Sequence, residues 1–348
     1  MGTLWFWIVV LMLVAYVVLD GFDLGVGIVY LFLARTQREK IQAMRSIGPV
    51  WDGNEVWLIA GGGTLFFAFP MLYASSFSGF YLPLMIVLWL LILRGLSIEL
   101  RHYSKDRLWH SFFDAMFAVS SMLLAIFYGA ALANVVRGVP IGPDGYFFLP
   151  LWTNWKTGPN PGILDWYTVL GGVLALAAFA MHGSLYLAMK TTEKLEARAA
   201  ALTSKLAPAV LLLTAISLPA TVLARPNSLP TYEQHPAAFI APLAVFLGMA
   251  TVWFALRRKA YFMAFLGSCV YLAAMLAGAA AGLFPVLLPN VCPQGHDLTL
   301  DNALAGPHTL QVGLVWWSIG ILLAIFYFCV VYWLFRGKVP NDAEGYGH

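Results

Sequence analysis

The sequence has little charge and almost no cysteine. Only 11% of its 348 residues are Asp, Glu, Lys or Arg, against about 25% in ordinary soluble domains. A soluble chain needs polar residues to cover its surface, whereas this one is 61% apolar. The shortage of charge excludes soluble enzymes, disordered proteins and coiled coils, and three cysteines are too few for a secreted disulfide scaffold. We therefore expect a polytopic membrane protein.

The apolar stretches predict an all-α fold with nine transmembrane helices. A membrane helix needs about 20 mainly apolar residues. Nine stretches meet this requirement, at residues 4–34, 55–74, 79–99, 112–136, 166–189, 206–224, 236–256, 261–284 and 310–335. The first is longer than one perpendicular crossing needs, so it must tilt or project beyond the membrane.

Basic residues lie almost all on one side of these spans. Sixteen of the 20 Lys and Arg residues fall in the tail or in the loops after spans one, three, five and seven, and three fall on the opposite side. Because cytoplasmic loops collect Lys and Arg, we expect a cytoplasmic C-terminus and an N-terminus outside the cytoplasm. This topology also explains the net charge of +3, so we expect no nucleic-acid partner.

Two long connections rich in proline and glycine divide the chain, and this composition predicts that neither is helical. The predicted parts are a four-helix bundle, an extracytoplasmic loop, a second four-helix bundle, a second such loop, and a ninth helix with a cytoplasmic tail, over residues 1–136, 137–165, 166–284, 285–309 and 310–348. The dipeptides Asp20-Gly21 and His182-Gly183, in the first helix of each bundle, hint at a duplicated unit.

Ionisable side chains inside the spans are expected to mark function, because burying a charge in a membrane is costly. They concentrate in the first four spans. Asp20 and Asp23 are three residues apart and therefore share one face of the first helix. Two carboxylates one turn apart cannot both ionise cheaply in a low dielectric, which suits them to relaying protons. The alternative is that both are structural partners that neutralise Arg94.

A second acidic group opens span two, in residues 51–57 (WDGNEVW). Asp52 and Asn54 could cap this helix, since the positive end of the helix dipole favours a carboxylate. A cap alone does not explain acids packed among indoles at the cytoplasmic interface. The other interpretation is an acidic mouth for protons or cations, formed with Glu55.

Two further residues inside spans leave alternatives open. Arg94 either extends to the headgroups or pairs with Asp23 or with Asp114, at the start of span four. His182 is the one histidine in a span interior, and it is either a hydrogen-bonded core residue or a ligand. Because buried histidines are so few, we expect this chain to bind no cofactor.

The glycines around Asp23 and in residues 61–63 resemble phosphate-binding loops only superficially. Neither group lies between a strand and a soluble helix, as such a loop requires. In apolar spans, small residues four apart let helix backbones approach each other, and this is the role we expect for both groups, Gly21 with Gly25 and the glycines at residues 61–63.

These motifs give the chain a resemblance to subunit II of the cytochrome bd-type quinol oxidases. The matching segments are residues 20–25 (DGFDLG), residues 48–58 (GPVWDGNEVWL), residues 77–81 (FSGFY), Arg94 and Phe284-Pro285. With nine spans and the same loop plan, the resemblance covers essentially the whole chain. The form of residues 50–56 and the fifth span with His182 are more similar to the cyanide-insensitive branch of that family.

The resemblance implies a subunit of a respiratory complex that oxidises quinol and reduces oxygen to water in the bacterial inner membrane. In that family two b-type haems and one haem d are held by subunit I, which matches the scarcity of histidine here. Subunit II is the pseudo-symmetric partner of subunit I, and a small single-span subunit joins some complexes. Membrane lipids and the substrate quinol are further expected contacts.

The family's acidic residues are thought to carry protons from the cytoplasm toward the haem site. By motif match, Asp20, Asp23 and Asp52 take this role here, and Glu55 ranks below Asp52. Asp114 and the charge partner Arg94 match the family's motifs less strictly. An alternative from another class is a proton- or cation-coupled transporter that uses the same acids as a single chain. A third is a haem protein in its own right, ligated by His182.

Overall fold

The structure, a computed structural model, describes residues 1–226, 228–234 and 236–340 and is mostly helical. The helices are α1 (Gly2–Leu33), α2 (Gln37–Ile47), α3 (Trp51–Ala68), α4 (Pro70–Gly79), α5 (Tyr81–Leu100), α6 (Arg107–Arg137), α7 (Trp166–Lys190), α8 (Glu193–Ala224), α9 (Ser228–Gln234), α10 (Ile240–Arg257), α11 (Tyr261–Leu283), α12 (Leu300–Ala303) and α13 (Pro307–Leu334). Strands β1 (Val286–Leu288) and β2 (Leu298–Thr299) pair in an antiparallel hairpin. The predicted tail beyond residue 340 lies outside the described residues.

Eight helices of the described chain are long and apolar enough to cross a membrane. They are α1, α5, α6, α7, α8, α10, α11 and α13. This confirms the predicted all-α polytopic membrane fold. The boundary that differs most is the start of α8, which the apolar pattern places at residue 206. Residues 193–205, which include five charged residues, extend the same helix on the N-terminal side of the apolar stretch.

The predicted second span, residues 55–74, is built from two helices. α3 ends at Ala68 and α4 begins at Pro70, with Phe69 between them outside helical conformation. Proline has no N–H and clashes with the preceding turn, so it fits the first turn of a new helix but interrupts a continuous one. For this reason neither α3 nor α4 alone is among the eight long apolar helices of the described residues.

The connection between α1 and α3 contains a helix, α2, where the sequence pattern predicts a loop. Thr36 and Glu39 form a reciprocal capping box at its start. Glu39 also pairs with Arg198 of α8 at 2.5 Å. Burial disfavours the ionised Glu39, but hydrogen bonds from Arg198 and from the backbone N–H groups of Arg35 and Thr36 outweigh this and lower its pKa. The ionised Glu39 therefore stabilises both the start of α2 and the contact of α2 with α8.

The two long loops differ from each other. Residues 138–164 are all described and contain no helix, as predicted. Arg137 closes this loop by pairing with Asp165, the residue that caps α7. The second loop folds into the β1–β2 hairpin and the single turn α12. The expectation of a loop without helix was therefore wrong there, because a capping box between Thr299 and Asn302 stabilises that turn.

α1 lies at the centre of the bundle and contacts α3, α6, α7 and α11. Every residue of α1 from 20 to 30 is buried. The closest approach is to α7, where a Cβ added to Gly25 would lie 2.0 Å from the Phe179 carbonyl oxygen and 2.6 Å from the Gly183 nitrogen. Small residues therefore set this crossing, as expected for Gly25. At Gly62 and Gly63 an added Cβ meets no atom within 4 Å, so the same expectation fails there.

One end of the bundle, which we call the basic face, collects most Lys and Arg residues. It consists of α2, the C-terminal ends of α1, α5, α7, α10 and α13, and the N-terminal ends of α3, α6, α8 and α11. Side-chain hydrogen bonds join these ends. Arg101 donates to Gln37 at 2.9 Å, and Gln42 donates to Thr192 at 3.0 Å. The basic connections are thus packed against one another rather than loose.

We expect Gly25→Ala to destabilise the fold strongly, because the new methyl group would meet the backbone of α7 rather than a movable side chain. Overpacking of this kind costs about 1–3 kcal/mol or more. The matched control is Gly62→Ala, which adds the same methyl group to another helix in open space. The measurement is the thermal unfolding midpoint in detergent, followed by tryptophan fluorescence. Equal midpoints for the two variants would contradict a backbone contact at Gly25.

Candidate functional site

A buried guanidinium organises the polar residues of three helices. Arg94 of α5 is fully buried, and its Nη1 donates to Asp20 Oδ2 of α1 at 2.9 Å while its Nη2 lies 2.7 Å from Asp20 Oδ1. The same Nη2 lies 2.9 Å from Glu55 Oε2 of α3. One cation therefore faces two carboxylates. We call Asp20, Glu55 and Arg94 the charge cluster.

The geometry corrects the expected partners of Arg94. Arg94 does not reach the headgroups, since none of its side chain is exposed. Among the described residues its ion pairs are with Asp20 and Glu55, not with Asp23 or Asp114. Of the two acids of α1, Asp20 is thus the one that pairs with Arg94, whereas Asp23 bonds to Asn54.

Asp23 lies beside the charge cluster in a hydrogen-bond chain whose other members, Asn54 and Tyr332, are uncharged. Its Oδ2 accepts from Asn54 Nδ2 at 2.7 Å, and Asn54 Oδ1 accepts from the Tyr332 hydroxyl of α13 at 2.9 Å. Asp23 Oδ1 is buried and has no hydrogen-bond partner among the described residues. We call Asp23, Asn54 and Tyr332 the amide chain. It leaves one carboxylate oxygen free to take a proton.

The amide chain contains the functional residues that sequence reasoning missed. Asn54 was considered as a cap, yet α3 begins after Val50 without any side-chain cap. Neither Asp52 nor Asn54 caps this helix, so the capping interpretation is wrong. The signal for Asn54 was its position among the acids and indoles of residues 51–57. Tyr332 carries no such signal, because it lies among many aromatic residues at the end of α13.

Asp52 lies apart from the buried acids, in the first turn of α3 at the basic face. Its side chain is exposed, whereas the Glu55 side chain, three residues further on, is only 20% exposed. Residues three apart share one helix face. Asp52, Glu55 and Arg94 thus form a line from the surface to the buried interior, which agrees with an acidic mouth.

Asp114 belongs to a separate ion-pair group. It accepts from Tyr30 at 2.7 Å, from Lys40 at 2.8 Å and from Arg101 Nε at 2.5 Å. These residues come from α1, α2, the turn after α5 and α6. Asp114 therefore joins four segments at the basic face, and the structure does not bring it into the charge cluster.

His182 is hydrogen-bonded through both ring nitrogens. Nδ1 lies 2.7 Å from Ser268 Oγ and Nε2 lies 3.0 Å from the Val18 carbonyl oxygen. The ring also stacks on Phe265, with ring centres 4.8 Å apart. An axial haem ligand needs one ring nitrogen free for the iron. The contacts of His182 are those of the predicted core residue and do not fit a haem ligand.

Comparison with known proteins identifies relatives along nearly the whole chain. The family model described as cytochrome bd terminal oxidase subunit II matches residues 1–335. The chain is 29% identical to cytochrome bd-I ubiquinol oxidase subunit 2 of Escherichia coli (strain K12), over 97% of this chain and 95% of that one. It is 30% identical to cytochrome bd ubiquinol oxidase subunit 2 of Bacillus subtilis (strain 168), over 89% and 88% respectively.

A solved structure has the same fold. A chain of the bd oxidase from Geobacillus thermodenitrificans superposes with a TM-score of 0.74, covering 96% of this chain and 98% of that one at 18% identity. At this identity the match establishes the fold, while the sequence comparisons carry the family relationship.

We expect Arg94→Gln to lower stability more than Asp20→Asn. The first leaves two carboxylates without their cation, whereas the second leaves Arg94 paired with Glu55. Removing one partner of a buried ion pair costs about 3–5 kcal/mol. The double variant Arg94→Gln with Asp20→Asn should lose less stability than the two single losses added together. In it neither Arg94 nor Asp20 is left without the other, and Glu55 alone lacks its cation. Thermal unfolding in detergent measures this, with exposed Arg107→Gln as the control. Similar midpoints for Arg94→Gln and Arg107→Gln would rule out a stabilising charge cluster.

Proposed function

Because the chain belongs to the family of subunit II of cytochrome bd terminal oxidases, we propose that it is the non-haem subunit of a bacterial quinol oxidase complex that conducts protons from the cytoplasm. The complex oxidises quinol and reduces oxygen to water in the inner membrane. The observation that carries the proton role is the line from exposed Asp52 through Glu55 to buried Arg94 and Asp20. Family membership favours this function over a single-chain transporter.

The three acids Asp20, Glu55 and Asp23 differ in how many of their carboxylate oxygens already contact a hydrogen-bond donor. Asp20 contacts Arg94 through both oxygens, whereas Glu55 contacts it through Oε2 and Asp23 keeps Oδ1 unbonded. If all three acids were ionised, a single guanidinium would face three carboxylates, and a net buried charge is costly. We propose that protons enter at Asp52 and are held at Glu55 and Asp23, while Asp20 fixes Arg94.

Asp114 has a different role in this proposal. Its three hydrogen bonds, from Tyr30, Lys40 and Arg101, leave it paired with cations at the basic face. We assign it to holding that face together rather than to proton transfer.

The haems are assigned to the partner, subunit I. The family implies two b-type haems and one haem d in the complex, and these groups supply the electron transfer and oxygen reduction. In this chain His182 is occupied by Ser268 and Val18, and no group of three or more His, Cys, Asp or Glu among the described residues could hold a metal ion. Both observations support the proposal that the haems are ligated by the partner and not by this chain.

The proposed topology has nine crossings. The broken pair α3–α4 adds one crossing to the eight long helices. The basic face is then cytoplasmic, with the N-terminus outside and the C-terminus in the cytoplasm. The proposal keeps two four-helix units, residues 1–136 and 166–284, whose first helices meet closely at Gly25 and Gly183. Residues 310–348 add the ninth helix and the tail.

The partner surface is proposed along α13 and the adjoining face of α3. α13 has one buried residue, Leu310, among its described positions, and large apolar side chains such as Trp316 and Phe326 are exposed along it. Glu55 lies on α3 and its side chain is 20% exposed, so a proton held at Glu55 would lie near this surface. In this proposal lipids cover the remaining apolar surface, and a small single-span subunit is a further partner. The form of residues 50–56 favours the cyanide-insensitive branch of the family.

We expect Asp52→Asn and Asp23→Asn to lower quinol-dependent oxygen consumption of the assembled complex, by up to about a hundredfold, the low end for a lost proton-transfer group. Asp23 has a neutral partner, so its replacement leaves no buried cation unpaired. The control is Glu99→Gln, an exposed carboxylate near the basic end of α5. Haem content and the quinol KM should not change. Full turnover in both Asp variants at unchanged haem content would leave this subunit with a scaffold role alone.

We expect this chain to copurify in mild detergent with a haem-bearing partner and to lose all haem absorbance when separated from it. The visible spectrum of each separated subunit is the measurement. His182→Ala should leave the haem content of the complex unchanged. Haem retained on the isolated chain and lost on His182 substitution would support the haem-protein alternative, and a colourless chain that transports ions alone would support the transporter.

A further inference from the structure

A cavity of about 550 Å³ lies at the basic face, between α2, α7, α11 and the segment that follows α13. We propose that this cavity binds the phosphate-containing headgroup of an anionic membrane lipid of the phosphatidylglycerol type. The proposal goes beyond the oxidase function and does not depend on the proton path.

The charge of the cavity lining selects an anion. Its basic residues are Arg45, Lys190, Arg336 and Lys338, and no acidic residue is among the described residues that line it. Basic pockets between transmembrane helices, at the level of the headgroups, bind anionic lipids.

Among the basic residues of the lining, Lys190 gives the clearest reason to expect a bound anion. It ends α7 and is half-buried, and its ammonium group donates to a neutral acceptor, the carbonyl oxygen of Phe335, at 2.6 Å. No carboxylate among the described residues compensates this charge. A partly buried cation without a counter-ion is unfavourable, and a phosphate oxygen in the cavity would satisfy it.

The chain after α13 forms a wall of this site. The Val339 N–H donates to the Lys190 carbonyl oxygen at 2.7 Å, and the Val339 carbonyl oxygen accepts from Gln42 at 2.6 Å. Lys338 pairs with Glu196, outside the lining, at 2.5 Å. These bonds hold the segment that carries Arg336 against α7 and α2, so this wall of the cavity is preformed, and because Lys338 is already paired with Glu196 the anion would be held by Lys190 and Arg336.

Aromatic residues indicate that the cavity lies at headgroup depth. Arg336 stacks over Trp333 at 4.8 Å, and Trp333 is 60% exposed at the end of α13. Tryptophan and tyrosine are enriched where a helix leaves the hydrocarbon. The lining also includes the apolar side chain of Phe262, which is 59% exposed and available to contact the glycerol and the first part of the acyl chains. This combination fits a lipid better than a free anion.

The test is native mass spectrometry of the assembled complex, titrated with phosphatidylglycerol, with phosphatidylcholine or with inorganic phosphate. Lys190→Gln and Arg336→Gln should each weaken phosphatidylglycerol binding about fivefold, as expected for one basic residue at a membrane surface. Arg257→Gln is the matched control, because Arg257 stacks on Trp253 at the same face, is exposed and lies outside the lining.

Selective loss in the two cavity variants supports the proposal. Equal loss in Arg257→Gln would indicate diffuse surface attraction and would overturn it. Binding of phosphatidylcholine as tight as that of phosphatidylglycerol, or binding of inorganic phosphate without the lipid, would also overturn it. A variant ending at Pro340 completes the test, since residues 342 and 344 are acidic. Lipid binding that appears only in this variant would identify the chain's own tail as the occupant.

Discussion

The burial of two carboxylates in α1 is the constraint on which the rest of the structure depends. Asp20 and Asp23 are fully buried in an apolar bundle, where an unpaired charge is prohibitive. Partners must come from other helices, because α1 has no basic residue. Arg94 on α5 and Asn54 on α3 meet this need. α1 therefore has to lie where α3 and α5 can both reach it, which is the centre of the fold.

The close packing of α1 on α7 complements this polar contact. On one side of α1, Asp20 and Asp23 bind the polar groups of α3 and α5. On the other side, Gly25 and Gly183 let two helix backbones touch. Membrane helices associate without a hydrophobic driving force between them, so close packing and interhelical polar contacts hold them together. In this molecule the two kinds of contact lie within two turns of one helix.

Polar pairs at both ends of the bundle complete the fold. Asp114 joins α6 to α1, α2 and the turn after α5, whereas Arg137 and Asp165 close the loop between α6 and α7 at the opposite end. The charge cluster lies between these two ends. Its chemistry differs from theirs because one cation is shared by two carboxylates and a third carboxyl lies beside it. That imbalance is the basis of the proposed role in proton transfer.

The sequence by itself determined the membrane class, the approximate positions of the eight long apolar helices, the accumulation of basic residues at one end, and the candidate acids, because each depends on local composition and period. It also contained the Thr36–Glu39 capping box of α2 and the proline that divides α3 from α4. Only the tertiary structure decided that Arg94 pairs with Asp20 and Glu55, that Asp114 lies elsewhere, and that Tyr332 reaches Asn54. Those contacts join residues 39 to 278 positions apart. Helical periodicity gives the face on which a side chain lies, whereas the partner opposite that face depends on how separate helices rotate and cross.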